Sequence, residues 1–241
     1  MNGRATRFAG IVASTGILLA IPLLLLADDG APRVDTVLTR EQQSRLTPDE
    51  VLKRLEAGNQ RFAAGERTVR DHSKQVRAAA GGQYPKAMIL SCIDSRIPVE
   101  DVLDQGIGDV FVARVAGNFE NTDILGSMEY ACKVSGAKVV LVLGHEHCGA
   151  VKAAIDGVVL GNITAMLENI RPAVESVSGY AGPRTSDNPE FVHRVAEQNV
   201  RLTMDRIRER SPILKAMEDA GEIRIVGGLY EMKTGRIDLL D

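Results

Sequence analysis

Apolar residues in this chain form two kinds of pattern, short uninterrupted runs and longer stretches with helical spacing. The uninterrupted runs are rich in Val and Ile and almost free of charge, as expected of strands covered on both faces of a sheet. They span residues 87–90, 110–115, 139–143 and 223–229. Helical patterns lie between them, at residues 98–103, 122–134 and 149–220. This alternation predicts right-handed crossovers and a parallel sheet.

Additional elements are predicted at both ends of this alternation. Residues 47–50 (Thr-Pro-Asp-Glu) form a capping box with proline at the first helical position and predict a helix to about Gly65. A shorter helix is predicted over residues 72–80. At the other end, a turn at 233–236 can fold residues 237–240 back as an antiparallel hairpin. The predicted fold class is therefore α/β: a central, mostly parallel β-sheet flanked by helices, with an N-terminal helical arm and a C-terminal antiparallel edge strand.

The N-terminus differs from the rest of the chain. Arg4 and Arg7 precede an uncharged apolar run over residues 9–27 that ends in the small residue Ala27. This pattern is typical of a secretory signal peptide, here residues 1–27. The run is also close to the length that spans a bilayer, so an uncleaved membrane anchor through residues 9–27 is the alternative. We predict an exported protein, periplasmic or extracellular, that contacts a membrane only if this segment is retained.

Composition is that of one globular domain. Residues 28–45 are polar without a sustained period and are predicted to be a linker, so that the domain spans residues 46–241. The chain has 241 residues, of which 44% are hydrophobic and 25% charged, enough for one sizeable core. Removal of residues 1–27 takes two of the 29 basic residues and no acidic one, which leaves 27 against 32 and a net charge of −5. This acidic balance argues against nucleic acid as a partner.

Two short motifs directly follow predicted strands. Residues 92–96 (Cys-Ile-Asp-Ser-Arg) come after the first strand and residues 145–148 (His-Glu-His-Cys) after the third. Ligands of open parallel sheets bind outside the carboxyl ends of the strands, so the motifs can converge if these two strands are neighbours. Two thiolates and one imidazole suit zinc better than magnesium or calcium. Three protein ligands leave one coordination position, as in catalytic zinc sites.

Asp94 has two possible roles at such a site. Paired with Arg96 through two hydrogen bonds, it stays ionised and away from the metal. It can then accept a hydrogen bond from a zinc-bound hydroxide, a nucleophile that zinc makes available near pH 7. If the pair breaks, Asp94 could become a fourth zinc ligand and close the site. A disulfide between Cys92 and Cys148 is conceivable in an exported protein, but it explains neither His145 nor the Asp94 and Arg96 side chains.

The other cysteine and the other histidines are not expected to bind the metal. Cys132 follows Met128 by one helical turn and is expected to be a buried structural thiol. His147 is expected to point away from the metal because its neighbour Cys148 points toward it. His72 and His193 are expected at the surface.

At these motifs the chain resembles the β-class carbonic anhydrases. Their signature is Cys, any residue, Asp, Ser, Arg and, farther along the chain, His, two residues, Cys. The resemblance extends over roughly residues 46–232 and includes residues 83–86, residues 114–118 and Gly149. It implies one Zn²⁺ per subunit, bound by Cys92, His145 and Cys148, with Asp94 and Arg96 as the catalytic pair. The implied reaction is the reversible hydration of carbon dioxide to bicarbonate and a proton.

The resemblance further implies an open site in an oligomer. A closed subgroup has tryptophan three positions before the first cysteine, where this chain has Ile89 and no tryptophan anywhere. Gln83 matches a glutamine that hydrogen-bonds substrate in the open subgroup, and Gly149 is a second expected substrate-binding residue. Positions that line the cleft in this family, often across a dimer interface, match Phe111, Ala116 and Tyr130, although each could as easily be core. A homodimer or a tetramer is expected.

Two further functions fit the same residues. The same nucleophile could hydrolyse a related small electrophile, carbon disulfide or carbonyl sulfide, with the access tunnel selecting the substrate. The metal could instead stabilise a non-catalytic binding module. The presence of Asp94 and Arg96 argues against the second function, because a purely structural zinc site has no need of that pair.

Overall fold

The structure, a computed structural model, describes residues 34–240. These residues form a five-stranded sheet with helices on both faces. The strands are Ala87–Ser91 (β1), Val110–Arg114 (β2), Val139–His145 (β3), Arg224–Tyr230 (β4) and Ile237–Leu240 (β5). Their order across the sheet is β2-β1-β3-β4-β5. The first four are parallel and β5 runs antiparallel to β4, which confirms the predicted fold class.

Helices precede, connect and cover these strands within residues 34–240. They are Arg40–Ser44 (α1), Pro48–Ala64 (α2), His72–Ala79 (α3), Val99–Val102 (α4), Thr122–Glu129 (α5), Gly149–Ile155 (α6), Gly161–Leu167 (α7), Arg171–Ser176 (α8), Pro189–Arg210 (α9) and Pro212–Asp219 (α10). A π-helical turn, Tyr130–Val134, continues α5.

Alternate side chains of the central strands enter two separate cores. Met88 and Leu90 of β1 lie in a core that α5, α9 and α10 cover, whereas Ile89 lies in the core that α2 and α4 cover. Every residue of β1 and β3 is buried. Burial on both faces explains why these strands are continuous apolar runs in the sequence rather than alternating ones.

The order of the strands reverses between β1 and β3. After β1 the chain moves to β2 on one side, and it then returns to β3 on the other side of β1. The two strands are direct neighbours, with Ser91 opposite Leu143. Open α/β sheets bind ligands at such a switch point, outside the carboxyl ends of the strands. The topology therefore places the segment after β1 beside the end of β3.

The predicted linker over residues 28–45 is wrong for its last part. The helix α1 begins there with a capping box formed by Thr39 and Gln42. Gln43 is buried and donates a hydrogen bond to the Pro85 carbonyl at 2.6 Å. Ordered structure therefore begins before Leu46, because a polar side chain anchors this short helix to the segment that enters β1.

Asp104, which follows α4, fastens the N-terminal arm to the domain. Its carboxylate has no exposed surface, accepts hydrogen bonds from Arg61 Nε at 2.6 Å and the Thr68 hydroxyl at 2.7 Å, and pairs with Arg70. Burial opposes its ionisation, but the hydrogen bonds from Thr68, Arg70 and Arg61 outweigh this effect and lower the pKa of Asp104. The arm is thus held by a buried anion with two cationic partners.

The helix predicted over residues 122–134 changes geometry near its end. It is α-helical to Glu129 and π-helical over Tyr130–Val134. Cys132 lies in the π-helical turn and is buried, and burial raises the pKa of its thiol to about 12. A thiol that stays protonated in the core is structural, as the sequence predicts.

The predicted signal peptide or anchor, residues 1–27, lies outside the described residues. Among residues 34–240, no helix combines the length and the apolar character needed to cross a bilayer.

Candidate metal centre

The side chains of Cys92, His145 and Cys148 meet at the switch point between β1 and β3. Their ligand atoms all lie within 4.8 Å of one another, and all three residues are buried. Cys92 directly follows β1, His145 is the last residue of β3, and Cys148 is the N-cap of α6. The sequence-predicted ligands are therefore brought together by the sheet order and by the turn that follows β3.

The distance between the two sulfurs fits a shared metal and not a disulfide. Cys92 Sγ and Cys148 Sγ are 4.0 Å apart, about twice the length of a disulfide bond. Two Zn–S bonds of about 2.3 Å at a tetrahedral angle place their sulfurs about 3.8 Å apart. The geometry therefore supports metal ligation by both thiolates.

The imidazole of His145 is oriented for ligation through Nε2. Its Nδ1 lies 2.8 Å from the Glu146 carbonyl, which can only accept, so Nδ1 carries the proton. Nε2 then holds a lone pair, and it is fully buried with no hydrogen-bond partner among the described residues. A buried acceptor without a partner destabilises the fold, whereas a metal ion satisfies it. The residues present therefore fit a zinc ion.

The two thiols form a coupled pair. The hydrogen bond from the Cys148 thiol lowers the pKa of Cys92 to about 4, and the same bond raises the pKa of Cys148. The Gly117 N–H also donates to Cys92 Sγ, at 3.4 Å. One thiolate is thus present at neutral pH without metal, and metal binding has to displace only the second proton.

Asp94 and Arg96 form a bidentate ion pair at the edge of this cluster. Arg96 Nε donates to Oδ1 at 2.9 Å and Nη2 donates to Oδ2 at 2.6 Å. The pair lowers the pKa of Asp94 to about 2, so that the carboxylate is ionised at neutral pH. Asp94 Oδ2 lies 3.9 Å from His145 Nε2. The carboxylate therefore borders the metal-binding space while Arg96 occupies both of its oxygens.

Arg114, at the end of β2, supports the segment that carries these groups. Its Nε donates to the Cys92 carbonyl at 2.9 Å and its Nη2 to the Asp94 carbonyl at 2.6 Å. A single side chain thus fixes the backbone on both sides of Ile93. The motif around Arg114 does not by itself indicate this role. A cation at the carboxyl end of a strand next to β1 is the signal that could have identified it.

The other predicted site residues are divided between two edges of the sheet. Gly149 follows Cys148, and Ala116 precedes Gly117, so both lie near the ligands. Gln83 is exposed and precedes β1, so the whole strand, about 3.3 Å per residue, separates it from Cys92 in the same chain. The structure therefore does not bring Gln83 to the ligands of its own chain.

Phe111 and Tyr130 lie on the outer edge of the sheet and not beside the ligands. Their rings are 6.2 Å apart in an edge-to-face arrangement. They line an open groove of about 670 Å³ together with β2 and α5. Phe111 pairs with Met88, the second residue of β1, away from the carboxyl end of that strand.

None of the other histidines among the described residues joins the ligand cluster. His147 is exposed and has a left-handed backbone conformation, with φ of 54°. His72 is exposed and His193 is half-buried. The prediction that His147 points away from the metal agrees with this exposure.

Comparisons with known proteins agree with this geometry. The chain matches the family described as "Carbonic anhydrase" over residues 87–237. Carbonic anhydrase 2 of Mycobacterium tuberculosis is 36% identical over 195 residues, which cover 80% of this chain and 93% of that protein.

Solved structures show the same fold. The β-carbonic anhydrase CafA of Aspergillus fumigatus is 30% identical with a TM-score of 0.63, covering 77% of this chain and 88% of that one. Tetrameric β-carbonic anhydrases of Sordaria macrospora include a chain that is 26% identical with a TM-score of 0.60, covering 79% of this chain and 96% of that one. With the ligand geometry, these matches show that the chain belongs to the β-class carbonic anhydrases, a family of zinc enzymes that hydrate carbon dioxide.

Proposed function

We propose that this enzyme hydrates carbon dioxide reversibly to bicarbonate and a proton at a centre that is open at neutral pH. One observation carries the proposal: both oxygens of Asp94 accept hydrogen bonds from Arg96. A carboxylate held in this way is not available as a fourth metal ligand. The three remaining protein ligands, Cys92, His145 and Cys148, would then bind a metal as in catalytic zinc sites, which keep a place for water.

Each residue of the centre has a distinct role in this mechanism. Cys92, His145 and Cys148 would hold the zinc ion, which would supply a Lewis acid that lowers the pKa of water to about 7. Asp94, ionised because of Arg96, accepts a hydrogen bond and so orients the attacking oxygen toward the carbon of the substrate. Arg96 keeps the carboxylate in this position.

Gly149 supports access of a small substrate to the centre. It is exposed at the first position of α6, directly after Cys148, and a Cβ built there would have no atom within 4 Å. No side chain therefore obstructs the surface at this residue, the neighbour of the last ligand in the chain.

Stopped-flow measurement of carbon dioxide hydration tests the function. The protein is loaded with zinc, its metal content is measured, and Asp94→Ala is compared with wild type. We expect wild-type activity and a loss of at least 100-fold in the variant, within the range for a positioned proton acceptor. A fully zinc-loaded wild type without activity would refute the proposal, and hydrolysis of carbonyl sulfide or carbon disulfide by the same sample would redirect it to the alternative substrates.

We propose that the enzyme is an oligomer, a dimer or a tetramer, in which Gln83 serves the metal centre of a second copy. Gln83 is exposed but lies at the wrong edge of the sheet for its own ligands, so it can act on substrate only from another subunit. The free edge of β2 and the exposed ring of Tyr130, 52% accessible, offer an apolar face for this association.

A mixing experiment tests the shared site. Gln83→Ala and Asp94→Ala proteins, each weakly active alone, are combined under subunit exchange. If Gln83 acts across the interface, the mixed dimer contains one intact centre and activity returns. Sedimentation that shows only monomers, or no recovery after demonstrated exchange, would exclude this arrangement.

We also propose that the enzyme is exported, with cleavage after Ala27 favoured over a retained anchor. Support comes from Arg4, Arg7 and the uncharged run over residues 9–27. The full-length gene is expressed, the cells are fractionated, and the N-terminus of the mature protein is sequenced. A mature protein that starts at Asp28 in the periplasm or medium agrees with cleavage, recovery in the membrane with residues 1–27 retained indicates the anchor, and cytoplasmic recovery contradicts export.

A further inference from the structure

The long helix α9 contributes a buried amide behind the metal ligands. Asn199 has 0% exposed surface, and its Nδ2 donates to the Gly117 carbonyl at 2.8 Å. The N–H of Gly117 donates in turn to Cys92 Sγ at 3.4 Å. A chain of two hydrogen bonds therefore connects α9 to a ligand sulfur.

Close packing against Ile170 also restrains the backbone of Gly117. Gly117 has φ of +84°, and a Cβ built there would lie 2.4 Å from Ile170 Cδ1. Its backbone thus has little room in that direction. The hydrogen bond from Asn199 restrains the backbone of Gly117 further. It holds the carbonyl of Gly117, the same residue whose N–H donates to Cys92 Sγ.

Asn199 reduces the stability of the fold through its unpaired side-chain oxygen. Its Oδ1 is buried and has no hydrogen-bond partner among residues 34–240, and an unpaired buried acceptor reduces stability. A second hydrogen bond already joins the turn over residues 117–120, which follows β2, to α9: Arg210 Nη1 donates to Glu120 Oε1 at 2.9 Å. The need to attach this turn to α9 therefore does not by itself explain a buried amide at position 199.

We propose that Asn199 is a positioning residue for the metal centre, which aims the Gly117 N–H at the Cys92 sulfur. A hydrogen bond to a thiolate stabilises the charged form and moderates the electron density that it donates to a metal. The inference rests on the proposed function only in that the cluster binds a metal. It concerns a residue two hydrogen bonds from the metal and does not involve the substrate.

The variant Asn199→Leu removes the donor and keeps the branched shape of the side chain. Asn59→Leu is the matched control, because Asn59 is also buried and donates to two backbone carbonyls, Val102 at 3.1 Å and Gly235 at 2.8 Å, at the opposite side of the domain core. Zinc affinity is measured by competition with a chelator. The thiolate-to-cobalt charge-transfer band of the Co²⁺-substituted protein is measured as well.

We expect zinc binding by Asn199→Leu to weaken by about tenfold or more, and the charge-transfer band to move to longer wavelength because the sulfur becomes a better donor. Asn59→Leu should lose thermal stability, bind zinc within about twofold of wild type and keep its band. If Asn199→Leu binds zinc as tightly as Asn59→Leu does and has the wild-type band, the proposal is wrong.

A measurement on wild type keeps the idea testable if Asn199→Leu does not fold. In protein labelled with ¹⁵N-glycine and loaded with ¹¹³Cd, a hydrogen bond from Gly117 to Cys92 transmits a scalar coupling from the amide proton to the metal. A coupled Gly117 resonance supports the relay. A resolved Gly117 resonance without coupling overturns it. Neither metal affinity nor this coupling depends on carbon dioxide hydration, so failure here is distinguishable from failure of the proposed function.

Discussion

The ion pair between Asp94 and Arg96 decides whether the metal centre is open, and the variant Arg96→Gln tests this directly. Glutamine retains polarity but loses the charge and the planar fork that binds a carboxylate through two hydrogen bonds. Asp94 then keeps only the backbone N–H of residue 96, at 3.0 Å. The carboxylate becomes free to turn toward the metal-binding space. Its Oδ2 already lies 3.9 Å from His145 Nε2, one of the ligand atoms.

The structure gives the size of the expected effect. The pKa of Asp94 is about 2 against an ordinary value of 3.8, with the side-chain hydrogen bonds from Arg96 as the main cause. At 1.36 kcal/mol per pKa unit, this lowering corresponds to about 2.4 kcal/mol. The Arg96 side chain is 56% exposed, so solvent screens part of the interaction and about half of this value remains. About 1.2 kcal/mol is close to a tenfold change in the ratio of paired to unpaired carboxylate.

The assay is kcat/KM for carbon dioxide hydration at pH 7.5, by stopped flow, on protein of measured zinc content. We expect a loss on the order of tenfold for Arg96→Gln. The control is Arg171→Gln, since Arg171 pairs with Glu168 at the same distance of 2.6 Å and is 55% exposed but lies on α8. This variant should stay within about twofold of wild type. A fully zinc-loaded Arg96→Gln protein with wild-type kcat/KM would refute the reasoning.

The same pair predicts a dependence of stability on pH. The folded-state pKa of Asp94 is lowered, so its contribution is complete above the ordinary value of 3.8 and is lost as pH falls toward about 2. In Arg96→Gln the carboxylate accepts its proton at a higher pH. The acid-unfolding midpoint, followed by circular dichroism, should therefore rise relative to wild type, and an unchanged midpoint would contradict the assigned cause.

Three further outcomes are expected. Asp104→Asn should lower the free energy of unfolding in urea by about 3 kcal/mol at pH 7, because it breaks a buried ion pair. Since folding lowers the pKa of Asp104, this difference should shrink as pH falls below the ordinary value of 3.8, where the unfolded chain takes up the proton before the folded one does. Zinc-free protein treated with a mild oxidant should form a Cys92–Cys148 disulfide, so that one thiol, Cys132, is counted after denaturation, whereas zinc-loaded protein keeps all three. Gly117→Ala should cost about 1–3 kcal/mol of stability and weaken zinc binding, because its φ of +84° and the approach of a Cβ to Ile170 both oppose a side chain.

The control for the first of these outcomes is wild type measured across the same pH range. An equal loss at pH 3 and pH 7 would contradict an ionic origin. For the second, oxidation at the same rate in both forms would mean that the metal does not protect the thiols. For the third, unchanged zinc affinity in a folded Gly117→Ala protein would separate this turn from the metal centre.

The apolar pattern predicted most of the sheet, because strands covered on both faces leave a continuous apolar run. Its limits appear at the strand ends. The run in the third strand stops at Leu143, yet β3 continues to His145, which is paired with Tyr230 of β4. Gly144 and His145 are buried without being apolar, so only the tertiary ladder shows that the metal ligand itself belongs to the strand.

Polar residues that act through burial were not predictable in the same way. Thr39 and Gln42 carry a capping signal that could have been found, but the burial of Gln43 depends on contacts with residues far along the chain. The same holds for Asp104 and Asn199. The ligands and the Asp94 motif were recognisable because their chemistry is local in the sequence, whereas the residues that support them are local only in the folded protein.

The ligand atom His145 Nε2, buried and without a hydrogen-bond partner among residues 34–240, also affects how the protein matures. Its ligand set exists only after β1 and β3 have paired, so the unfolded chain offers no comparable chelating group and binds zinc weakly. Metal binding then adds RT ln(1 + [Zn]/Kd) to the stability of the native state, about 2.7 kcal/mol at a free metal concentration of 100 Kd. Zinc therefore selects the folded chain, and zinc scarcity should reduce the amount of native protein as well as its activity.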